Sequence, residues 1–163
     1  MMRKHFTITA CITAAFLVLF GNYSRSNEPA APSQTIINDQ VSATRLSGDH
    51  FFALQWISWR HFGKASIIDK GGVWHITGRQ DSRESDDYIT IDGIITEINP
   101  LDFKFDGEIV TRVSHINGGK PCVRSGTMTF RISGKRQYWR LNEMRNPEDN
   151  VVDYIDIFFH KYE

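Results

Sequence analysis

Four turn signals cut the body of this chain into short alternating runs, and their spacing dictates how the runs can pair. Lys70-Gly71-Gly72, Asn99-Pro100, Asn117-Gly118-Gly119 and Ser133-Gly134-Lys135 each stand between apolar segments. A parallel return needs a crossover of about a dozen residues or more, so connections this short force neighbouring strands to run antiparallel. Within the runs, side chains alternate. Phe103, Phe105, Ile109, Thr111 and Val113 share one face, and Lys104, Asp106, Glu108 and Arg112 share the other. Met128, Phe130 and Ile132 alternate with Thr127, Thr129 and Arg131, and Val151, Ile155, Ile157 and Phe159 share a face near the C-terminus. Period-two alternation marks half-buried strands. The expected fold is all-β: an antiparallel meander of about seven strands, forming a curled sheet or a small barrel. The runs fall at 52–68, 72–79, 87–98, 102–115, 122–132, 136–143 and 151–160, and Ser133-Gly134-Lys135 reads as a tight two-residue hairpin.

The segment 49–62 admits a second reading. Asp49 could cap a helix with Phe52, Trp56 and Trp59 on one face. The strand is preferred, because Gly63 and the β-branched run after it match the later strands.

Glycines recur inside the strands. Gly63, Gly78, Gly93 and Gly107 are spaced 15, 15 and 14 apart, and Gly126 follows 19 later. In a regular meander these glycines fall in neighbouring strands and line up across the sheet. A row of bends at such positions curls a sheet toward closure. The expectation is that Gly93 and Gly107 take backbone angles closed to other residues.

The N-terminus reads as an address. Arg3 and Lys4 precede an uncharged apolar stretch from Phe6 to Gly21, and Ser24 and Ser26 place small residues before a cut ahead of Asn27. This is the arrangement of a secretory signal peptide over 1–26. The apolar run of about 16 residues is short of the ~20 that span a bilayer. Cys11 sits within this run, with apolar residues continuing beyond it, so it does not read as a lipidation site. Residues 27–48, small and polar with Pro29 and Pro32, read as a flexible tether, and residues 49–163 as a single β domain. The chain is expected to be periplasmic or secreted, with the signal segment as its one membrane contact.

Charge and cysteine content exclude several classes. The full chain carries 19 basic and 19 acidic residues. Removing Arg3, Lys4 and Arg25 leaves 16 against 19, a charge of −3, so a strongly basic nucleic-acid binder is excluded. One cysteine, Cys122, remains after cleavage and cannot form an internal disulfide. His50, His61, His75, His115 and His160 show no metal-ligand spacing, so neither a metal nor a cofactor is expected.

The candidate sites are few. Lys120 and Arg124 flank Cys122, and nearby cations lower a thiol pKa, so Cys122 is a candidate reactive thiol. Its parity with Met128 and Phe130 favours instead a small buried hydrophobe. His115 lies seven residues before Cys122 across a hairpin, so a thiol- or histidine-dependent enzyme is the alternative function. Basic residues gather in 120–145 and acidic ones in 80–102. They form either a basic face for an anionic partner or solvated outer faces, the second being favoured. In Arg136-Gln137-Tyr138-Trp139-Arg140-Leu141 cations and aromatics interleave, so Tyr138, Trp139 and Arg140 are candidate binding residues, together with Trp74. Asp153 and Asp156 fall on opposite strand faces, and the inward one needs a partner, for which Arg140 is the candidate.

Two resemblances follow from these motifs. Gly72-Val73-Trp74, opening a strand, resembles the Gly-x-Trp of lipocalin-like barrels. Residues 108–158 resemble a family of small exported bacterial proteins of unassigned function. The likeness is carried by Asn117-Gly118-Gly119-Lys120-Pro121-Cys122, Lys135-Arg136-Gln137-Tyr138-Trp139-Arg140-Leu141 and Asp153-Tyr154-Ile155-Asp156-Ile157. The family pattern places a second cysteine where this chain has Glu148, which implies that Cys122 has lost a partner. The resemblance implies fold and location and brings no catalytic residues. The expected function is that of an exported, non-enzymatic envelope barrel that binds a small molecule or an envelope protein.

Overall fold

A computed structural model describes residues 34–159. The signal segment 1–26 and the start of the expected tether lie outside the described residues. The chain runs β1 (Ile36–Ile37), α1 (Gln40–Leu46), β2 (Gly48–Leu54), β3 (Gly63–Lys70), β4 (Val73–Asp81), β5 (Tyr88–Ile98), β6 (Asp102–Arg112), a short 3-10 turn (Asn117–Gly119), β7 (Cys122–Arg131), β8 (Tyr138–Leu141) and β9 (Ile155–Phe158). Among the described residues, β2 to β9 each pair antiparallel with the next strand, and β9 returns to β2. The meander is therefore a closed eight-stranded barrel, which leaves these strands without a free sheet edge over their paired lengths. β1 is an extra strand, parallel to the end of β5.

The inward faces are filled. Phe52, Ile67, Ile76, Ile91, Phe105, Phe130, Leu141 and Ile157 are almost fully buried within a single cluster. Phe103 and Phe130 stack at 5.1 Å between centroids, and Trp139 meets Phe103 edge-on at 5.9 Å. A register shift between Ile95 and Glu97 turns Ile98 inward as well, and β1 docks beside it.

Two expectations are corrected at the N-terminal side. Residues 36–46 are ordered rather than a tether. The Asp39 side chain caps α1 by accepting the Ser42 N–H at 2.7 Å, and Ala43 and Leu46, three apart on one helix face, enter the barrel core. The run 52–68 is two strands, so the barrel has one strand more than the sequence suggested. Residues 55–62 form a loop that contains Trp56, Trp59 and Phe62 and no glycine or proline. It is held from the neighbouring strand β4. Gln80 accepts the Leu54 N–H at 2.7 Å and donates to the Ser58 and His61 carbonyls at 3.2 and 3.0 Å. The expected two-residue hairpin near Gly134 is also longer, because β7 ends at Arg131 and β8 begins at Tyr138.

The glycine row forms only in part: Gly93, Gly107 and Gly126 line up, whereas Gly78 lies opposite Ala65 and Ile91, and Gly63 opposite Phe52. Gly93 pairs with Gly107, and Gly107 with Gly126. The reason differs from the one expected. Gly126 alone of the three has a positive φ, +96°. At Gly107 the constraint is space: a Cβ there would lie 2.3 Å from the Asp92 carbonyl and 2.7 Å from the Phe105 ring. The glycines let two strands approach under that ring.

Candidate functional site

Strand pairing sends the residues of β8 in opposite directions. Trp139 and Leu141 point inward and are buried, whereas Tyr138 and Arg140 point outward. On the outer face Arg140 lies directly opposite Asp156 of β9. Its Nε and Nη2 donate to the two Asp156 carboxylate oxygens, each at 2.7 Å, a bidentate fork. The Tyr138 and Tyr154 rings stand 5.1 and 4.1 Å from the guanidinium carbon. Asp156 is fully buried beneath this arrangement. Burial pushes its carboxyl up from the ordinary value, against the pull of Arg140 and, more weakly, of Arg136. Arg136 lies 5.6 Å from the Tyr138 ring. An open groove of about 380 Å³ runs over the site, lined by Arg131, Ser133, Arg136, Arg140, Asn142 and Tyr154 among others. Arg131 pairs with Asp102 at 3.2 Å.

A second polar cluster lies inside the barrel. Arg124 of β7 points inward, and its Nη2 donates to Asp153 at 2.5 Å and to the Arg145 carbonyl at 3.2 Å. Asp153 also accepts from Trp56 Nε1 and Asn146 Nδ2, both at 2.9 Å. Asn146 in turn accepts from the Cys122 thiol at 3.3 Å. These bonds bridge a stretch where β7 and β8 have parted, since the two strands pair only at Phe130 and Arg131. The inward acid is therefore Asp153, with Arg124 as its partner in place of the expected Arg140, which belongs to Asp156.

The candidate residues do not converge on one place. Tyr138 and Arg140 meet at the outer groove. Trp139 and Trp74 are core residues, 2% and 6% exposed. Cys122 is buried among the interior cluster, and desolvation pushes its thiol up, which outweighs the lowering by Arg124. Lys120 is exposed and is not among the groups acting on the thiol. His115 is exposed and turns its ring toward Trp56 at 5.8 Å, so it makes no hydrogen bond with Cys122. Among the described residues, no group of three or more His, Cys, Asp or Glu side chains is placed to hold a metal ion. The sequence placed Arg131 and Arg136 only within the basic run 120–145, for which a solvated face was favoured, and gave Asp156 no binding role. The sign available there was the outward parity of Asp156 with Arg140 one strand away.

The PM1083 family model matches residues 34–159, which is most of the chain. The chain belongs to the PM1083 family. A relative from Pasteurella multocida (strain Pm70), named uncharacterized protein PM1083, is 47% identical over 131 residues, covering 79% of this chain and 84% of that protein. No solved structure matches, so the Gly72-Val73-Trp74 likeness to lipocalin-like barrels has no counterpart there. The PM1083 match takes in β1 and α1 as well as the barrel, along with the outer groove and the interior cluster.

Proposed function

We propose that this PM1083-family chain is an exported, non-enzymatic envelope protein that binds its ligand or partner on the outside of the barrel. One contrast carries the reading. The inward faces are occupied by packed side chains, whereas the outer face holds a groove with an arginine fixed in place by a buried acid. Small-molecule sites are concave and present a few fixed polar groups, and the groove fits that description. The interior thiol, buried and bonded to Asn146, supports a structural role for Cys122. Export rests on the charged start and apolar stretch of residues 1–26.

Expression of the full chain in a Gram-negative host, followed by fractionation and N-terminal sequencing, tests the reading. A periplasmic product that starts near Asn27 is expected. A cytoplasmic product that retains Met1 contradicts it.

A further inference from the structure

We propose that the Arg131–Arg136–Arg140 groove is a site for a phosphoryl oxyanion, carried on a small ester or a lipid headgroup. This rests on the reading of the groove as the binding surface. The first observation is the expense of the site. Burying a carboxylate on the outer face of a barrel costs free energy that closing the barrel does not require. Its direct structural result is to hold the Arg140 guanidinium by two bonds between two tyrosine rings. Nε and Nη2 are taken by Asp156, and Nη1 has no partner among the described residues and is not a buried orphan. Arg140 is thus a donor fixed in advance at the groove.

The second observation is charge. Three guanidiniums line the groove against two carboxylates, Asp156 and Asp102. The excess cation is Arg136, which contacts the Tyr138 ring and forms no ion pair among the described residues. A carboxylate is planar and is satisfied by one guanidinium fork, and Asp156 already fills that of Arg140. A tetrahedral phosphoryl oxyanion, in a monoester or a diester, presents its oxygens in several directions and takes donors from guanidiniums on separate elements. Ser133 and Asn142 add uncharged donors at the walls. The volume of about 380 Å³ suits a phosphoryl group with a glycerol or a sugar attached.

The test is calorimetry of the purified protein with glycerol 3-phosphate at fixed ionic strength, beside sedimentation with phosphatidylglycerol and phosphatidylcholine vesicles. Arg136→Gln removes the unpaired cation at an exposed position, and Arg60→Gln removes an exposed arginine in the β2–β3 loop as a control for general charge. Saturable binding of glycerol 3-phosphate, weakened about tenfold or more in Arg136→Gln and unchanged in Arg60→Gln, supports the site with a soluble ester as its source. Binding to phosphatidylglycerol alone, with the same dependence, supports it with a headgroup as the source. Binding to neither probe, or binding that both variants weaken equally, overturns the proposal. A periplasmic chain that binds neither probe would sink this inference and leave the export reading standing. A cytoplasmic chain would sink the export reading whatever the calorimetry shows.

Discussion

Asp153 accepts from the Arg124 guanidinium at 2.5 Å inside the barrel, with both side chains almost completely buried. Two of the guanidinium nitrogens, Nε and Nη1, are buried there without a hydrogen-bond partner among the described residues. A buried pair costs desolvation on both sides, and deleting one partner strands the other charge, at about 3–5 kcal/mol. Asp153→Ala should lose stability on that scale in urea unfolding. The double variant Arg124→Met/Asp153→Leu should recover part of the loss, since no charge is left orphaned. Simple additivity of the two single losses would show that the residues do not act as a pair.

The paired glycines make a separate prediction. At Gly107 a Cβ has no room between the Asp92 carbonyl, the Gly93 Cα and the Phe105 ring. Gly107→Val should cost about 1–3 kcal/mol through overpacking, although valine otherwise suits a strand. Thr127→Val, on the exposed face of β7, should stay within about 0.5 kcal/mol of the parent. A thermal melt of Gly107→Val that coincides with the parent would remove the steric reason for the glycine row.

The strands and their order were legible because one face of each is buried and the turns are short. The alternating runs expected at 102–115 and 122–132 map onto β6 and β7, which end earlier, at Arg112 and Arg131. The break between β2 and β3 was not legible. Its loop has no glycine or proline, its one turn residue is Ser58, whose hydroxyl accepts the Arg60 and His61 N–H groups, and the Leu54 N–H at the strand's end is taken by Gln80, 26 residues further on. Likewise α1 has only seven residues and is held by its cap and by two apolar side chains, too little periodicity for a sequence to display. At the site, the interleaving of cations and aromatics in 136–141 pointed to Tyr138 and Arg140, which meet at the groove, and also to Trp139, which is buried in the core, but strand register decided which acid each arginine meets. Arg140 lies opposite Asp156, so Arg124 is left for Asp153.

Cys122 gives a pH dependence with a definite sign. Burial raises its thiol above the ordinary value of 9.0, so the folded state holds the proton more tightly than the unfolded chain. The stability this contributes is fully present below the ordinary value and is lost as pH rises through the folded value. Urea midpoints of the parent should therefore fall more steeply than those of Cys122→Ala above about pH 9. Iodoacetamide should modify Cys122 only after unfolding. Parallel midpoint curves, or alkylation of the folded protein within minutes, would contradict a buried structural thiol.

Amide chemical-shift mapping tests most directly the proposed binding on the outer face of a filled barrel. On titration with glycerol 3-phosphate, the largest shifts are predicted in Arg131–Asn142 and Tyr154–Asp156, with the inward residues Trp74, Ile91 and Phe105 unmoved. Shifts centred on those inward residues or on Cys122, or no shifts anywhere, would contradict it.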